Sequence, residues 1–336
     1  MVIPIRDTVQ AKRGVGEADE YGSWNLSKSA ILPNTMPSVD IHPLDLRFQN
    51  SPEGIAAYLV IGPGGPVLVE TGPGSTVPTL EQELARFGLT PADVHDVLVT
   101  HIHLDHAGAA GWWAQQGARI HVHHVGAPHL IDPSKLLASA QRIYGEMMRP
   151  LWGEFLAVPA GQVHALNDGD VVEVAGLRFT ALDTPGHARH HVVYRLEDVA
   201  FTGDLAGIRL SARPYTRMPT PPPEFDLATW RASIARVRAL KFKRLYLTHF
   251  GAVDDVDAHW AKVEALLAEV VERVREALAS GAEREAVVAR IEEWEDAQQS
   301  GLAEADRARY AGVGPIGMSV DGVIRYWSKR GVGSNL

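Results

Sequence analysis

The stretch 98–111, LVTHIHLDHAGAAG, limits what this chain can fold into more than any other part of it. An apolar run (Val97, Leu98, Val99) ends in His101, His103, Asp105 and His106, and small residues then open a helix. Imidazole and carboxylate donors packed this densely at the mouth of a strand point to a metal site. They serve that purpose only if a rigid scaffold presents them and other loops bring further donors to the same place. Several strands should therefore end along one rim.

The rest of the sequence supplies such strands. Apolar β-like runs at 57–61 and 67–70 flank the hairpin signal Gly62-Pro63-Gly64-Gly65, and helical periodicity follows over 76–87. A strand is expected at 94–100, a helix at 107–116 and a strand at 119–123. Further strands are expected at 171–174, 177–183, 192–196 and 199–202. The proline-rich loop 219–223 leads to a helix at 227–240 and then a strand at 244–248. Helical stretches at 256–280 and 283–309 follow, with Gly281 between them. The tail 324–330, IRYWSKR, should fold back, because Tyr326 and Trp327 are costly to expose.

Strands alternating with helices give an α/β protein. Residues 1–50 read as an N-terminal arm packing on the core, 51–280 as the main domain and 281–336 as a C-terminal helical extension. Within the main domain, 127–160 is a helical insertion rich in large apolar residues, either a hairpin on the core or a lid over the site.

Composition narrows the chemistry. The chain has no cysteine, so any metal must be held by His, Asp, Glu or water, a donor set that suits zinc, manganese, iron or cobalt. A net charge of −9 and the lack of a lysine-rich block disfavour a nucleic-acid partner. The opening residues MVIPIRDTVQAKRG lack the apolar core of a signal peptide, and no apolar run reaches the ~18 residues of a membrane span. A cytoplasmic protein without a membrane partner is expected.

Three more loops repeat the arrangement of the opening stretch. His187 ends Thr184-Pro185-Gly186-His187, Asp204 ends Phe201-Thr202-Gly203-Asp204, and His249 ends Leu245-Tyr246-Leu247-Thr248-His249. Each donor follows a short apolar strand, which brings the candidates to seven from four strand-end loops. His121, His123 and His124 form another cluster, but on an expected strand with no acidic neighbour in sequence, and they read as structural.

Together the H-x-H-x-D-H set (His101, His103, Asp105, His106), the PGH loop at His187, the TGD loop at Asp204 and the terminal His249 resemble the metallo-β-lactamase superfamily, over roughly residues 57–251. The resemblance implies a four-layer αββα sandwich carrying two divalent metal ions, zinc first among the candidates. It implies that His101, His103 and His187 bind one ion, that Asp105, His106 and His249 bind the other, and that Asp204 bridges them. His191 would stand behind these ligands. Where the family's first strand usually ends in Asp-Thr-Gly, this chain has Glu70-Thr71-Gly72, so a longer acid would have to orient a metal-bound histidine. Two ions about 3.5–4 Å apart lower the pKa of a shared water and polarise a substrate carbonyl, and Asp105 is the expected proton carrier.

Fold alone does not choose a substrate. A full second-site set favours hydrolysis of a small ester, lactone or thioester over the chemistry of a mononuclear iron persulfide dioxygenase. A non-catalytic metal-binding member is the third reading. Gly207 stands where acyl-homoserine lactonases carry a tyrosine, which counts against a close copy of those enzymes. Arg209, Arg213, Tyr215 and Arg217 follow Asp204 and either face an anionic substrate or form a solvated loop. The expected partner is a small-molecule substrate, and a homo-oligomer is left open.

Overall fold

The computed structural model of the chain describes residues 39–210 and 215–332. Two six-stranded sheets are present. The first runs, in spatial order, β1 (Asp40–Asp45), β2 (Ala56–Gly62), β3 (Gly65–Val69), β4 (Asp96–Leu98), β5 (Arg119–His123) and β6 (Val163–Leu166). Its pairings are antiparallel as far as β3 and parallel beyond. The second consists of β7 (Val171–Val174), β8 (Leu177–Asp183), β9 (Val192–Leu196), β10 (Val199–Gly203), β11 (Arg244–Leu247) and β12 (Gly251–Val253), also in spatial order. Only its β10–β11 pair is parallel.

The period-two side-chain alternation of strands explains the layering. On β2, Ala56, Tyr58 and Val60 enter a core between the sheets, while Ala57 and Leu59 enter a second core outside the first sheet. On β11, Tyr246 points between the sheets and Leu245 and Leu247 point outward into a third core. Strands buried on both faces read as continuous apolar runs, and these do. Helices α1 (Val77–Ala85), α2 (Leu104–Ala107), α3 (Ala110–Gln115), α4 (Ala127–Ile131), α5 (Ser134–Tyr144) and α6 (Met148–Trp152) contribute to the core outside the first sheet. Outside the second lie α7 (Leu227–Ala239), α8 (Val256–Ala279), α9 (Arg284–Gln298) and α11 (Ile316–Ser328), with α10 (Glu304–Val313) between the last two in sequence. The result is the expected αββα sandwich.

Buried tyrosines tie the sheets together near the rim where the donors emerge. The Tyr58 hydroxyl donates to the Leu247 carbonyl, and the Tyr194 hydroxyl lies 3.2 Å from the Val99 carbonyl and 3.1 Å from that of His121.

The departures from expectation sit at edges and in the extension. β6 and β12 are short edge strands without an apolar signature, and β4 is shorter than the run 94–100. The helix expected at 107–116 is two pieces, α2 and α3, so His106 lies inside a helical turn. The stretch 283–309 is not one helix either: α9 stops at Gln298 and α10 starts at Glu304, with Ser300-Gly301 in the break. This break lets Leu302 and Tyr310 reach the inter-sheet core, with Tyr310 fully buried there. The tail folds back as expected, as part of α11, whose Val320, Val323 and Tyr326 pack on the α8–α9 layer. The described end of the N-terminal arm is β1, an integral strand of the first sheet. Residues 1–38 lie outside the described residues.

Candidate metal centre

All seven donors emerge from strand ends on one rim of the sandwich. His101 and His103 follow β4, Asp105 and His106 lie on α2, His187 follows β8, Asp204 follows β10 and His249 follows β11. Glycines make two of these loops fit. Gly203 has φ +49°, and a Cβ there would stand 2.5 Å from Thr100 Oγ1 and 2.7 Å from His191 Nε2. Gly186 has φ +136° and backs directly on Trp230 of α7.

The donor atoms form two trios with a carboxylate between. In the first, His103 Nδ1 stands 2.9 Å from His101 Nε2 and 2.9 Å from His187 Nε2. In the second, Asp105 Oδ2 stands 3.4 Å from His249 Nε2 and 3.7 Å from His106 Nε2. Asp204 turns one oxygen to each trio: Oδ2 is 3.3 Å from His187 Nε2, while Oδ1 is 3.3 Å from His106 Nε2 and 3.5 Å from His249 Nε2.

The outer nitrogens of these rings fix which nitrogen faces inward. His187 Nδ1 donates to the Pro219 carbonyl at 2.9 Å, and His249 Nδ1 to that of Gly54 at 2.9 Å. His106 Nδ1 donates to Glu70 Oε1 at 2.9 Å. His101 Nδ1 sits 3.1 Å from the Thr100 hydroxyl, which itself donates to Glu70. In all four rings Nδ1 is engaged outside the site, which leaves Nε2 as the nitrogen facing in.

Glu70 is the hub of this support. It is 1% exposed and also accepts the Thr100 N–H at 3.2 Å and the Thr248 hydroxyl at 3.0 Å. A backbone φ of +68° accompanies the longer side chain. His191 backs the bridge: its Nδ1 meets the Thr184 hydroxyl at 2.8 Å and its Nε2 accepts the Asp204 N–H at 3.2 Å. The threonines were missed in the sequence. Their signal is the repeated Thr-His step, Thr100-His101 and Thr248-His249, at the ends of two strands in different sheets.

A cation fits this cluster. His106 Nε2 and Asp204 Oδ1 are buried without a hydrogen-bond partner, a costly state for polar atoms that a metal ion would relieve. Clusters of three or more possible ligands, among the described residues, draw on these seven alone. Burial, reinforced by the other imidazoles, holds His101 well below its usual pKa and brings His103 down to about 3. Burial opposes charge on His106 too, but Asp105, Asp204 and Glu70 outweigh it and raise its pKa well above normal. The same burial would raise Asp105, yet His106 and His249 bring it down to about 2. Against the same burial, His106, His187 and His249 hold Asp204 well below its usual value, and burial lowers His187, so the two carboxylates are ionised and the first trio neutral, as metal ligation requires.

These shifts set an acid limit for the metal-free protein. Burial, with neighbouring imidazoles, also depresses His190 and His191 strongly. The unfolded chain protonates such histidines below about pH 6.5 while the native state does not, at ~1.4 kcal/mol per proton and pH unit. His106 and His249, raised by their carboxylates against burial, act oppositely: their contribution is complete below about pH 6.5 and fades as pH rises. Chelator-treated protein should therefore lose melting temperature steeply between about pH 6.5 and pH 5. A flat Tm across that window, measured by calorimetry, would contradict the assignment.

The residues expected to contact substrate are placed differently. Arg209 pairs with Asp255 at 2.7 Å, and Arg213 falls outside the described residues. Tyr215 is buried, its carbonyl accepting the Tyr310 hydroxyl at 2.7 Å. Arg217 borders the site, but its guanidinium is bound to Glu295 at 2.7 Å, so it is not free for an anionic substrate. The cluster at His121 has acidic partners after all: Asp96 lies 2.7 Å from His121, and Asp183 lies 3.2 Å from His123. Both partners come from neighbouring strands or the opposite sheet, which a linear reading cannot see. Five of the seven donors, His103, Asp105, His187, Asp204 and His249, line a cavity of about 540 Å³, within the usual range of small-molecule sites.

A family model described as the metallo-beta-lactamase superfamily matches residues 51–249. The chain belongs to that superfamily. Within it, the fold-containing protein ST1585 of Sulfurisphaera tokodaii is 26% identical over 222 residues, 65% of this chain and 81% of its own. A hydroxyacylglutathione hydrolase of Xylella fastidiosa is 27% identical over 147 residues, 44% of this chain and 43% of its own length. Among solved metallo-beta-lactamase folds, the family protein TTHA1429 from Thermus thermophilus superposes with a TM-score of 0.62 at 24% identity, covering 88% of this chain and 95% of that one.

Proposed function

We propose that this protein is a dinuclear metal-dependent hydrolase of a small ester, lactone or thioester, with zinc as the expected metal. The observation that carries the reading is Asp204, with one carboxylate oxygen against each trio of donors. His101, His103 and His187 would hold one ion, Asp105, His106 and His249 the other, and Asp204 both. Imidazole and carboxylate donors without thiolate suit zinc while leaving manganese, iron and cobalt compatible.

Bound there, two divalent ions supply an acidified water and a Lewis acid for a carbonyl oxygen. The chain's own residues do the rest. His103 and Asp105 are the donors partly open to the cavity, Asp105 with its side chain 20% exposed. Asp105 is thus the carboxylate placed to take up and pass a proton as the leaving group departs. The hydroxyacylglutathione hydrolase among the relatives is consistent with acyl-bond cleavage. A mononuclear iron persulfide dioxygenase would need only the first trio, and the second trio, with His106 and His249 buried and oriented through their Nδ1 atoms, argues against it. The reading carries a small-molecule substrate and a cytoplasmic protein, without a nucleic-acid or membrane partner. No helix of the described residues is long and apolar enough to cross a membrane.

The test is metal analysis followed by a panel of lactones, thioesters, esters, phosphodiesters and lactams, with Asp105→Ala as control. Two metal ions per chain and turnover of an acyl substrate, reduced ~10²-fold or more in the variant, are expected. Less than one metal per chain with no turnover after adding zinc, manganese or cobalt would sink the proposal. One iron per chain with oxygen uptake on glutathione persulfide would replace it.

A further inference from the structure

The cavity over the metal centre has two unlike ends. His103, Asp105, His187, Asp204 and His249 form the polar end. The other end lies between two segments far apart in sequence. Leu136, Ile143 and Met147 come from the insertion carrying α5 and α6, while Val313 ends α10, Pro315 lies in the turn after it and Met318 in the first turn of α11. These walls meet across the cavity, where the Tyr144 hydroxyl lies 3.7 Å from Met318 Sδ. At the mouth, Ile143 is 51% exposed and Met147 52% exposed, large apolar side chains left facing water.

Among the described residues, Arg217 is the one basic side chain other than histidine on the lining. Its charge is already used. Nε and Nη2 bind Glu295 at 2.9 and 2.7 Å, while Nη1 donates to the carbonyls of Tyr310 at 2.6 Å and Gly314 at 3.1 Å. Arg217 and Glu295 are each 5% exposed. The guanidinium therefore pins the α10–α11 turn against the site and offers no pairing to a substrate anion. Among the described lining residues no free cation faces the apolar end, so a carboxylate entering it would lose its hydration without gaining an opposite charge.

We propose that the apolar end is a tail-binding site, and that the substrate carries an uncharged, extended apolar group held between the insertion and the C-terminal extension. This deepens the hydrolase reading and rests on it for the reacting end alone. The tail supplies the chemistry that covers Ile143 and Met147, and the cavity's size accommodates a medium-length chain beside a carbonyl group. The insertion is then a wall of the substrate site as well as a pack on the core.

The experiment uses the full-length, metal-loaded protein and straight-chain methyl ketones from about four to twelve carbons, which are not hydrolysed. Titration calorimetry should show Kd falling about fourfold per methylene until the cavity is filled. Chains of equal length ending in a carboxylate should bind at least about tenfold more weakly. Ile143→Glu, at a half-exposed position, should flatten the length dependence while leaving Tm unchanged. A Kd independent of chain length, or carboxylate-ended chains that bind as tightly as methyl-ended ones, would overturn the proposal. Ester hydrolysis measured alongside separates the two readings. Length-dependent binding with no acyl hydrolysis keeps the tail site and removes the hydrolase. Flat ketone binding, with esters of the same chain lengths hydrolysed at a flat kcat/KM, does the reverse.

Discussion

Replacing Asp204 with asparagine is expected to lower bound metal from two ions per chain to one or fewer and to cut kcat/KM by ~10³-fold or more. The carboxylate faces both trios through different oxygens, and among the described residues no other side chain does so. An amide keeps the shape but presents one neutral acceptor and a donor, so one trio would meet an N–H where it needs a negative charge. The fold should survive, because His191 holds residue 204 through its backbone N–H. Metal analysis on the purified variant and its melting curve read these effects separately. Full metal content with undiminished turnover would remove Asp204 from the bridging role.

Glu70→Ala should be the most damaging change outside the donors themselves. It strips the acceptor from His106 Nδ1, the Thr100 and Thr248 hydroxyls and the Thr100 N–H, all in a buried pocket. Each donor left unpaired costs ~1–3 kcal/mol, so a loss of several kcal/mol in stability is expected. Freed from its orienting carboxylate, His106 should bind the second metal 10–100-fold more weakly. Glu70→Gln keeps an acceptor and most of the shape, and should recover much of the stability but less of the metal affinity. Denaturant unfolding and zinc titration distinguish the two effects. An unchanged zinc affinity in Glu70→Ala would show that His106 is held by packing alone.

How much of this could be read from the sequence depended on distance along the chain. Each donor announces itself locally, as a polar residue just after an apolar strand, and the strand limits at 171–174, 177–183 and 192–196 agree with the structure. Local spacing also shows Gly186 and Gly203, whose lack of a side chain the geometry demands. What it hides are partners chosen in three dimensions. Asp183 reaches His123 across the sandwich, and Glu295 reaches Arg217 from 78 residues away. Arg217 thus looks, in sequence, like a free cation near the site. The break between α9 and α10 has a local signal in Ser300-Gly301, but the place of Tyr310 in the inter-sheet core, which the break allows, was hidden.

The same break has a consequence for how such a protein can change over generations. The donors are fixed to strand ends of the sandwich, whereas the far wall of the cavity belongs to α5, α6 and a turn near the chain's end, anchored by Tyr310 and Arg217. Substitutions at Ile143, Met147, Val313 or Met318 alter the pocket without touching any ligand or its hydrogen bonds. Reactivity and selectivity are thereby inherited on separate stretches of chain. On the proposed reading, a descendant could exchange one substrate tail for another by drift in the two walls while the donor set stays unchanged.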